Sequence, residues 1–598
     1  MKQKNSIPWV IRPITPDEIY TDRQEFLDYF YKAALKAAGR RTSSTVLLGQ
    51  RRMGKSEIFK RVVNRLFFGQ DPGDPNAAVP VYYSFPDASM DEKKFGKDYL
   101  ENFIRYYVGF YTAQPDLIIK SPKGKKLLSA VSEARKLYPF SKTLDWILDW
   151  YDEIETGDSF LPHRDALGVP RKVSDVDDST IIMFLDEFQN TRLPQYDFDI
   201  AGFMQEAVES PTCPHFVTGS AMSILAREII GRGSLFGRFD SEVIEPMSGY
   251  WGKELALSAA CYYKAELPEI MAPAVSERCG GNPFYITAVV KQAAKRQSII
   301  SDEKSLNEIL AVDISSGFIW GELNDQVTRW IKRINEHGIT KWVLYLSALD
   351  ENEEKDKRNR LNVEKIQREI QKREGRHVSL EDVRDVLIKL ARGDLVEYLE
   401  LGGWFRRVKD PILLEFLKVW GKIEVEGHNQ NSVRDELAEQ YRSYKGKVSD
   451  YKGYFAEVHM SQVLLSAQNR TLPGKFFNSG TDIEMPRFIY VRHRVQLGAE
   501  NDPDIDVLGA AGGEKWVCQS KWVTGRKIGI KILEELVAQA DTVWKDMNPQ
   551  TVRIWIFAYD GLTKQALVFA KKHDILWSSR KEFDKLLVHL GLRPLPDL

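Results

Sequence analysis

The segment 49–56, which reads GQRRMGKS, constrains the fold of this chain more than any other feature of the sequence. It matches the pattern GxxxxGKS/T, follows the apolar run 45–48 and precedes a helical pattern over 55–68. In such a strand–loop–helix unit the glycines let backbone N–H groups point at phosphate oxygens, and the helix N-terminus favours the same anions. The alternative is a chance match in a long sequence.

The residues of this loop are expected to bind the phosphates of ATP. Lys55 is expected to neutralise phosphate charge, and Ser56 to hold Mg²⁺. The predicted nucleotide-binding residues of the loop are Gly49, Gln50, Arg51, Arg52, Met53, Gly54, Lys55 and Ser56.

Further β-type runs alternate with helical patterns after the loop. They lie at 78–85, 180–185, 215–218 and 243–244. This alternation predicts an α/β fold with a parallel sheet covered by helices on both faces. The long, helix-rich gap between 85 and 180 is expected to be an insertion at the edge of the sheet.

Two carboxylates follow the apolar run 181–185, at Asp186 and Glu187. A buried strand that ends in carboxylates beside a phosphate loop is suited to nucleotide hydrolysis. Asp186 is expected to reach Mg²⁺ through water, and Glu187 to polarise the attacking water, so hydrolysis is favoured over nucleotide binding alone. The alternative is that the two carboxylates only end a strand.

The next strand and the loop after it carry groups that could reach the terminal phosphate. The strand ends in Thr218, Gly219 and Ser220, whose hydroxyls could sense that phosphate or form an ordinary turn. The loop 231–239 carries two arginines, of which Arg238 is the predicted phosphate contact. A surface ion pair is the alternative for Arg238.

Composition limits the class of protein and its compartment. The 598 residues suggest about three to four domains. With 84 Lys and Arg against 85 Asp and Glu, a scaffold that coats nucleic acid by overall charge is excluded. The four cysteines lie far apart without a CxxC pair, which indicates a reducing compartment rather than a disulfide framework or a structural zinc site. No apolar run is long enough for a membrane span or a signal peptide, so a cytoplasmic location is expected.

A second group of chemically capable residues lies in the last part of the chain. Asp504 and Asp506 share one face of a predicted strand, and Gln519 and Lys521 share one face of the next. With Glu457 on the preceding helix, the carboxylates Glu457, Asp504 and Asp506 could hold one or two Mg²⁺ ions, and the Lys521 ammonium could orient water or stabilise a pentacovalent transition state. The alternative is a hairpin whose charged positions face water.

Four segments together resemble the archaeal-type ATPase family within the STAND class of AAA-related P-loop ATPases. They read YTDRQE, GQRRMGKS, LDEFQ and SLFGRFDSEVIEP, and the resemblance covers about residues 15–420. It implies that Pro283, in CGGNPFYI, belongs to a helical lid and packs near the adenine. It also maps Arg23 and Glu25 to the base side of the nucleotide, although Asp-Arg-x-Glu is also an ordinary helix start.

Residues 340–425 resemble the winged-helix module that follows the lid in this family. The helix 380–391 would occupy the recognition position, but its mixed charge fits a phosphate backbone poorly. A docking or regulatory role is therefore favoured over groove reading. Arg406, Arg407 and Lys409 are the candidate phosphate contacts on the wing, with a solvated face as the alternative.

The group near the carboxyl terminus resembles the PD-(D/E)xK restriction-endonuclease fold, in the QxK variant of Mrr-like enzymes that cut DNA. The resemblance implies that Glu457 and Asp506 are metal ligands, that Gln519 replaces the usual acid, and that Lys521 is the catalytic lysine. Asp504 is then an additional ligand or the first carboxylate of the strand. An amide at Gln519 brings no formal charge to the cation.

Taken together, these patterns predict five segments. They are a P-loop ATPase core (1–248), a helical lid (249–335), a winged-helix domain (336–425), a linker (426–448) and a PD-(D/E)xK nuclease-like domain (449–598).

The predicted function is an ATPase, with ATP and Mg²⁺ as cofactors, whose nucleotide cycle controls a metal-dependent deoxyribonuclease. DNA is the expected partner through the last domain, with the winged helix as a second candidate contact. No membrane association is expected, and a homo-oligomer is a candidate assembly in which Arg238 acts in cis or in trans. Resemblance to STAND ATPases joined to effector nucleases implies defence or mobile-element biology. The alternatives are an ATP-switched DNA-binding regulator, or a remodeller, with an inactive nuclease-like domain.

Overall fold

The computed structural model describes most of the chain, in eleven stretches. They are residues 8–192, 196, 198–219, 229, 233–335, 337–349, 360–375, 377–399, 403–443, 451–495 and 505–596. The chain divides into two compact units. The first comprises Met1–Pro246, Asn282–Tyr285 and Val312–Asp435, and the second comprises Met247–Gly281, Ile286–Ala311 and Glu436–Leu598. Residues of the segment 249–335 therefore belong to both units.

A five-stranded parallel sheet forms the centre of the first unit, as the sequence predicts. Its strand order is β2-β3-β4-β1-β5, and every neighbouring pair is parallel. The strands are β1 (Thr45–Leu48), β2 (Ala78–Ser84), β3 (Thr180–Asp186), β4 (His215–Thr218) and β5 (Asp240–Val243). All residues of β1, β3 and β4 are buried, because helices cover both faces of a parallel sheet.

The edge strand β5 begins earlier than the apolar pattern at 243–244 indicates. Its residues 240–242 are Asp, Ser and Glu, and none of the four strand residues is buried. An edge strand needs no apolar face on its open side, so a hydrophobic pattern does not predict the polar residues 240–242 as part of β5.

Helices surround this sheet, and five of them, from Glu92 to Asp177, lie between the edge strand β2 and β3. Among the described residues before β5, the α-helices are Gln24–Lys36, Lys55–Phe68, Glu92–Tyr111, Asp116–Ile119, Lys125–Ala134, Thr143–Thr156, Pro162–Asp177, Ile200–Phe203 and Gln205–Val208, and the 3-10 helices are Ala37–Gly39 and Phe188–Arg192.

The remainder of the first unit is mostly helical and contains one hairpin. Strands β6 (Glu397–Leu399) and β7 (Trp404–Arg406) pair antiparallel after three successive helices. Ser379 begins the third of these with a capping box, and Asp410 caps the helix after the hairpin. The helices are Phe318–Ile334, Thr340–Leu349, Val363–Glu374, Leu380–Arg392 and Pro411–Glu424, and the helix Gln430–Ser443 lies within the expected linker.

A mixed five-stranded sheet forms the centre of the second unit. Its order is β10-β11-β12-β13-β14, antiparallel from β10 to β12 and parallel from β12 to β14. The strands are β10 (Tyr490–Val495), β11 (Ile505–Ala511), β12 (Glu514–Lys521), β13 (Thr551–Ala558) and β14 (Leu576–Ser578), and a separate pair consists of β8 (Thr471–Leu472) and β9 (Ile483–Glu484).

Helices pack on both faces of this second sheet and form two apolar cores. One core includes Phe455, Trp516, Trp555 and Phe583, and the other includes Val517, Leu533 and Ile556. The helices of the unit are Gly249–Tyr263, Ala272–Arg278, Tyr451–Ser466, Ile530–Met547, Lys564–Lys572 and Arg580–His589, with 3-10 helices at Glu269–Met271 and Gly474–Phe476. The helices Pro283–Arg296 and Glu303–Ser316 have residues in both units.

Among the described residues, none of the helices combines the length and the apolar character that crossing a bilayer requires.

We expect Trp555→Ala to destabilise the second unit. Trp555 is fully buried, packs against Phe477 with ring centroids 5.3 Å apart, and donates its indole N–H to Ser578 Oγ at 3.1 Å. Its truncation should cost about 3–5 kcal/mol of unfolding free energy. The measurement is pulse proteolysis in urea, with mass spectrometry of fragments from the second sheet. Trp544→Ala, at a 47% exposed position, is the control and should leave the midpoint nearly unchanged; equal midpoints for both variants would contradict this packing.

Candidate functional site

The loop between β1 and the helix Lys55–Phe68 has the geometry of a phosphate-binding turn. A Cβ atom at Gly49 would lie 2.2 Å from Cγ2 of Ile244, so only glycine fits there. Gly54 has a φ of 92° and forms the N-cap of the helix. The first N–H groups of that helix therefore face the loop, where an anion is stabilised.

The Lys55 side chain is held inside this loop. Its Nζ donates to the carbonyl oxygens of Gly49 at 2.6 Å and Gln50 at 2.7 Å, and the residue is only 6% exposed. Burial lowers the pKa of Lys55 to about 8, and the nearby charges of Asp186 and Glu187 oppose that change. The ammonium is thus desolvated and balanced mainly by the carboxylates at the end of β3.

Asp186 lies at the end of β3, which is separated from β1 by β4 alone. Its carboxylate accepts hydrogen bonds from Tyr82 Oη at 2.7 Å and from the Glu187 N–H at 2.8 Å. Burial, the largest effect, and the charge of Glu187 raise the pKa of Asp186, and the nearby Ser56 hydroxyl opposes the rise. The structure therefore brings together Ser56 and Asp186, the two side chains predicted to hold Mg²⁺.

Glu187 follows directly and adopts an unusual backbone conformation, with φ 54°. A non-glycine residue in this left-handed region is uncommon, and such residues are found often at functional sites. The Gln189 side-chain amide donates to Glu187 Oε2. The carboxylate expected to polarise water is thus held by a neighbour two residues away.

The two arginines of the loop contact other parts of the first unit. Arg52 Nη2 donates to Glu322 Oε1 and to Gln326 Oε1, both at 3.0 Å, and its guanidinium lies 5.1 Å from the centroid of the Phe284 ring. The Asn282 amide donates to the Arg51 carbonyl at 3.4 Å. Pro283, predicted to pack near the adenine, is therefore flanked by two residues that contact the loop.

Asp394 also acts on the loop. Burial lowers the pKa of Arg51, and the charge of Asp394 opposes that effect. Asp394 acts in the same direction on the pKa of Lys55. It lies in the turn that precedes β6, where a sequence pattern shows only an ordinary polar turn.

Arg23 is buried and contacts the end of the first sheet. Its Nη2 donates to the carbonyl of Glu245 at 2.7 Å, and Nη1 lies 3.7 Å from Asp22 Oδ2. Burial lowers the pKa of Arg23, and the Asp22 charge opposes it. Glu25 is exposed. Arg23 is thus fixed mainly by the backbone, and its predicted place at the base side of a nucleotide stays a prediction.

Arg238 forms an ion pair with Glu209, with Nε 2.8 Å from Oε1. Its Nη1 donates to the carbonyls of Ser234 at 3.4 Å and Phe236 at 3.3 Å. Within the described part of the chain, none of these partners belongs to the phosphate loop. The arrangement matches the surface ion pair that was the alternative for this residue; the other arginine, Arg232, lies outside the described residues.

The Thr218 hydroxyl donates to the Leu47 carbonyl at 3.0 Å and is fully buried. It therefore joins β4 to β1. Ser220, the other candidate hydroxyl, lies outside the described residues.

In the second unit, Asp506 lies in β11 and is held by β12. Its Oδ2 accepts hydrogen bonds from Gln519 Nε2 at 2.9 Å and from the Ser520 N–H at 2.7 Å. The structure therefore places Asp506, the predicted metal ligand, beside Gln519, which occupies the position where the PD-(D/E)xK pattern has an acid. Gln519 orients Asp506 through its amide.

Glu457, on the helix Tyr451–Ser466, lies near Asp506 and is 8% exposed. Burial, followed by the charge of Asp506, raises the pKa of Glu457 to about 7, and Arg494 opposes the change. Arg494 Nε lies 3.4 Å from Glu457 Oε2 and forms an ion pair with it. Within the described chain, Oε2 accepts no hydrogen bond.

A buried carboxylate that holds only an ion pair through one oxygen and lies beside a second carboxylate is a donor set that fits a divalent cation. The described residues contain no cluster of three or more His, Cys, Asp or Glu that could hold a metal. Asp504, the third predicted ligand, lies outside the described residues.

Lys521 is the last residue of β12 and is half-buried. It pairs with Ala558 of β13 and lies two residues beyond Gln519, on the same face by strand alternation.

Arg494, by contrast, belongs to no sequence motif that would predict its role, because its partner Glu457 lies on another element.

Comparison with known proteins gives likenesses to solved structures alone. No family model and no curated protein matches the chain. A Walker-type ATPase of Pyrococcus abyssi matches with a TM-score of 0.43 at 15% identity, covering 68% of this chain and 99% of that one. The ORC2 protein of Aeropyrum pernix (ADPNP–ADP complexes) matches with 0.38 at 12% identity, covering 72% and 96%. The ORC1 protein of the same organism, in complex with DNA, matches with 0.33 at 14%, covering 69% and 95%. At these TM-scores and identities the likenesses identify no function.

We expect Tyr82→Phe to weaken metal-dependent nucleotide turnover, because it removes the hydroxyl that donates to Asp186. Loss of such a partner behind a metal ligand typically costs about 10–100-fold in metal affinity or activity. The measurement is ATP turnover against Mg²⁺ concentration. Tyr99→Phe is the matched control, because the Tyr99 hydroxyl is buried without a hydrogen-bond partner in the described chain; an equal effect of both substitutions would show that Tyr82 acts through packing.

Proposed function

We propose that this protein is an ATP-hydrolysing switch that controls a Mg²⁺-dependent DNA endonuclease in its second unit. The observation that carries the ATPase assignment is the meeting of Lys55, Ser56 and Asp186 where the phosphate loop and the end of β3 adjoin. Ligands of parallel α/β sheets bind at this carboxyl edge of the strands.

Each side chain has a distinct task in the hydrolysis. Lys55 neutralises charge on the β- and γ-phosphates, and the helix N–H groups bind the same oxygens. Ser56 and Asp186 would hold Mg²⁺, which supplies further positive charge to the phosphates. Glu187 accepts a proton from the attacking water or orients it. Because Lys55 is desolvated, its attraction to a phosphate is stronger than it would be in water.

Through the contacts of Arg51 and Arg52, a bound nucleotide would affect residues of the first unit outside the phosphate loop. The triphosphate and the carboxylates of Glu322 and Asp394 compete for the same cationic loop. A ligand shifts a conformational equilibrium by its difference in affinity for the two states. ATP would therefore favour the state in which these contacts are released, and hydrolysis would restore them.

The nuclease proposal is supported by the grouping of Glu457, Asp506 and Gln519 and by the position of Lys521 on the same strand as Gln519. Glu457 and Asp506 would hold the metal ion, whose charge polarises a phosphodiester. Gln519 orients Asp506, and Lys521 orients the attacking water or stabilises negative charge on the phosphate.

DNA is the proposed substrate of this second site. The overall charge is nearly balanced, so binding requires a local basic surface. Arg526, Lys527 and Lys531 are exposed and follow Lys521 closely in the chain. They supply such a surface directly after the strand that carries the candidate catalytic lysine.

A regulator with an inactive nuclease-like domain is the second candidate function. Arg494 already forms an ion pair with Glu457, and the Gln519 amide donates to Asp506. Both contacts also satisfy the two carboxylates without a metal. A homo-oligomer, in which Arg238 faces a neighbour's nucleotide, and a role in defence or mobile-element biology are further parts of the proposal.

Two substitutions in the first unit should separate nucleotide binding from hydrolysis. Lys55→Ala should abolish productive ATP binding, whereas Glu187→Gln should retain ATP and lose turnover by about 100-fold or more. The measurements are equilibrium binding of labelled ATP and phosphate release. Lys36→Ala, on an exposed helical position, is the control. Normal turnover in Lys55→Ala would overturn the assignment of the loop.

Cleavage of supercoiled DNA in Mg²⁺ should disappear in both Lys521→Ala and Asp506→Asn. Lys515→Ala is the matched control, because Lys515 lies on the same strand and its ammonium donates to the Gly512 carbonyl. Retained cleavage in Lys521→Ala would overturn the role assigned to Lys521, whereas absence of cleavage by the unaltered protein would favour the regulator.

A further inference from the structure

Arg494 lies between two carboxylates in the second unit. Its Nε is 3.4 Å from Glu457 Oε2, and its Nη1 is 3.7 Å from Glu277 Oε1. The guanidinium also lies 4.6 Å from the centroid of the Tyr454 ring. Arg494 is thus shared between the candidate metal ligand Glu457 and a carboxylate on the helix Ala272–Arg278.

The carboxylates around this arginine need a cation. Burial raises the pKa values of both Glu277 and Glu457, and the charge of Arg494 opposes the rise in each case. Asp506 adds a further negative charge near Glu457. A positive charge at this place therefore stabilises the ionised forms of Glu277 and Glu457.

A metal ion and the Arg494 guanidinium would compete for Glu457. Both are cations and both approach oxygens of the same carboxylate, so they repel each other when they occupy it together. Arg494 has a second partner in Glu277, and its side chain is 37% exposed. Its guanidinium can therefore move away from Glu457 and still keep a carboxylate partner and contact with water. Its backbone has a φ of 49°, a conformation that arginine rarely adopts.

We propose that Arg494 is an internal competitor for the metal site: it pairs with Glu457 when no metal is bound there and with Glu277 alone when a metal is bound. This inference rests on the proposed metal site of Glu457 and Asp506.

The test is Mn²⁺ binding to the full-length protein without nucleotide, measured by electron paramagnetic resonance. The Glu457→Gln variant defines the part of the binding that belongs to this site. Arg494→Ala should raise the affinity for Mn²⁺ by at least about fivefold. Arg494→Lys, which keeps the charge, should raise it less. Arg492→Ala is the matched control, because Arg492 lies on the same strand and contacts the Tyr490 ring at 4.7 Å.

Glu277→Gln distinguishes exchange from a simple effect of nearby charge. If Arg494 needs Glu277 as its second partner, Glu277→Gln alone should weaken Mn²⁺ binding. The same substitution should have little effect when it is combined with Arg494→Ala. Equal weakening in both backgrounds, or unchanged affinity in Arg494→Ala, would overturn the exchange while leaving the metal site in place. Absence of any Mn²⁺ binding that depends on Glu457 would overturn the metal site itself. Circular dichroism and thermal unfolding of each variant verify that it folds.

Discussion

The balance of buried charge between Lys55 and the carboxylates at the end of β3 is the interaction on which the first unit depends. A buried ammonium and a buried carboxylate are both costly unless each has a partner. Lys55 donates to a carbonyl of the loop and lies near the charges of Asp186 and Glu187. Asp186 accepts a hydrogen bond from Tyr82 and lies near Ser56. The parallel sheet provides this compensation because it brings the ends of β1, β4 and β3 to one edge. ATP and Mg²⁺ would bind at the same edge and enter the same balance of charge.

The second unit meets a similar requirement with different residues. Glu457 and Asp506 lie close enough for one charge to raise the pKa of the other, and Arg494 supplies the opposing cation. A divalent cation could supply the same compensation, which is why the site is compatible both with an active nuclease and with a metal-free regulator. In the proposed exchange, the position of Arg494 would set the affinity of this site for a metal ion.

The sequence predicts the parts of both sites that depend on local patterns. The phosphate loop, the strand before it and the carboxylates Asp186 and Glu187 follow from the order of glycines, apolar residues and charges. Tyr82 and Arg494 could not be predicted in this way, because their partners lie on other elements; Tyr82 and Asp186 are 104 residues apart. The first three residues of the edge strand β5 could not be predicted, because an edge strand requires no apolar repeat. The hydrogen bond from Gln519 to Asp506 depends on strand register and on the orientation of an amide, which a motif leaves open.

The proposed control of the nuclease site by the nucleotide site can be measured directly. The measurement is the single-turnover rate of supercoiled DNA cleavage in Mg²⁺, compared in ATP, in ADP and without nucleotide, for the unaltered protein and for Lys55→Ala. We expect the cleavage rate to differ between ATP and ADP, and Lys55→Ala to remove the difference. Equal cleavage rates under all three conditions would contradict nucleotide control, and the two sites would then act independently.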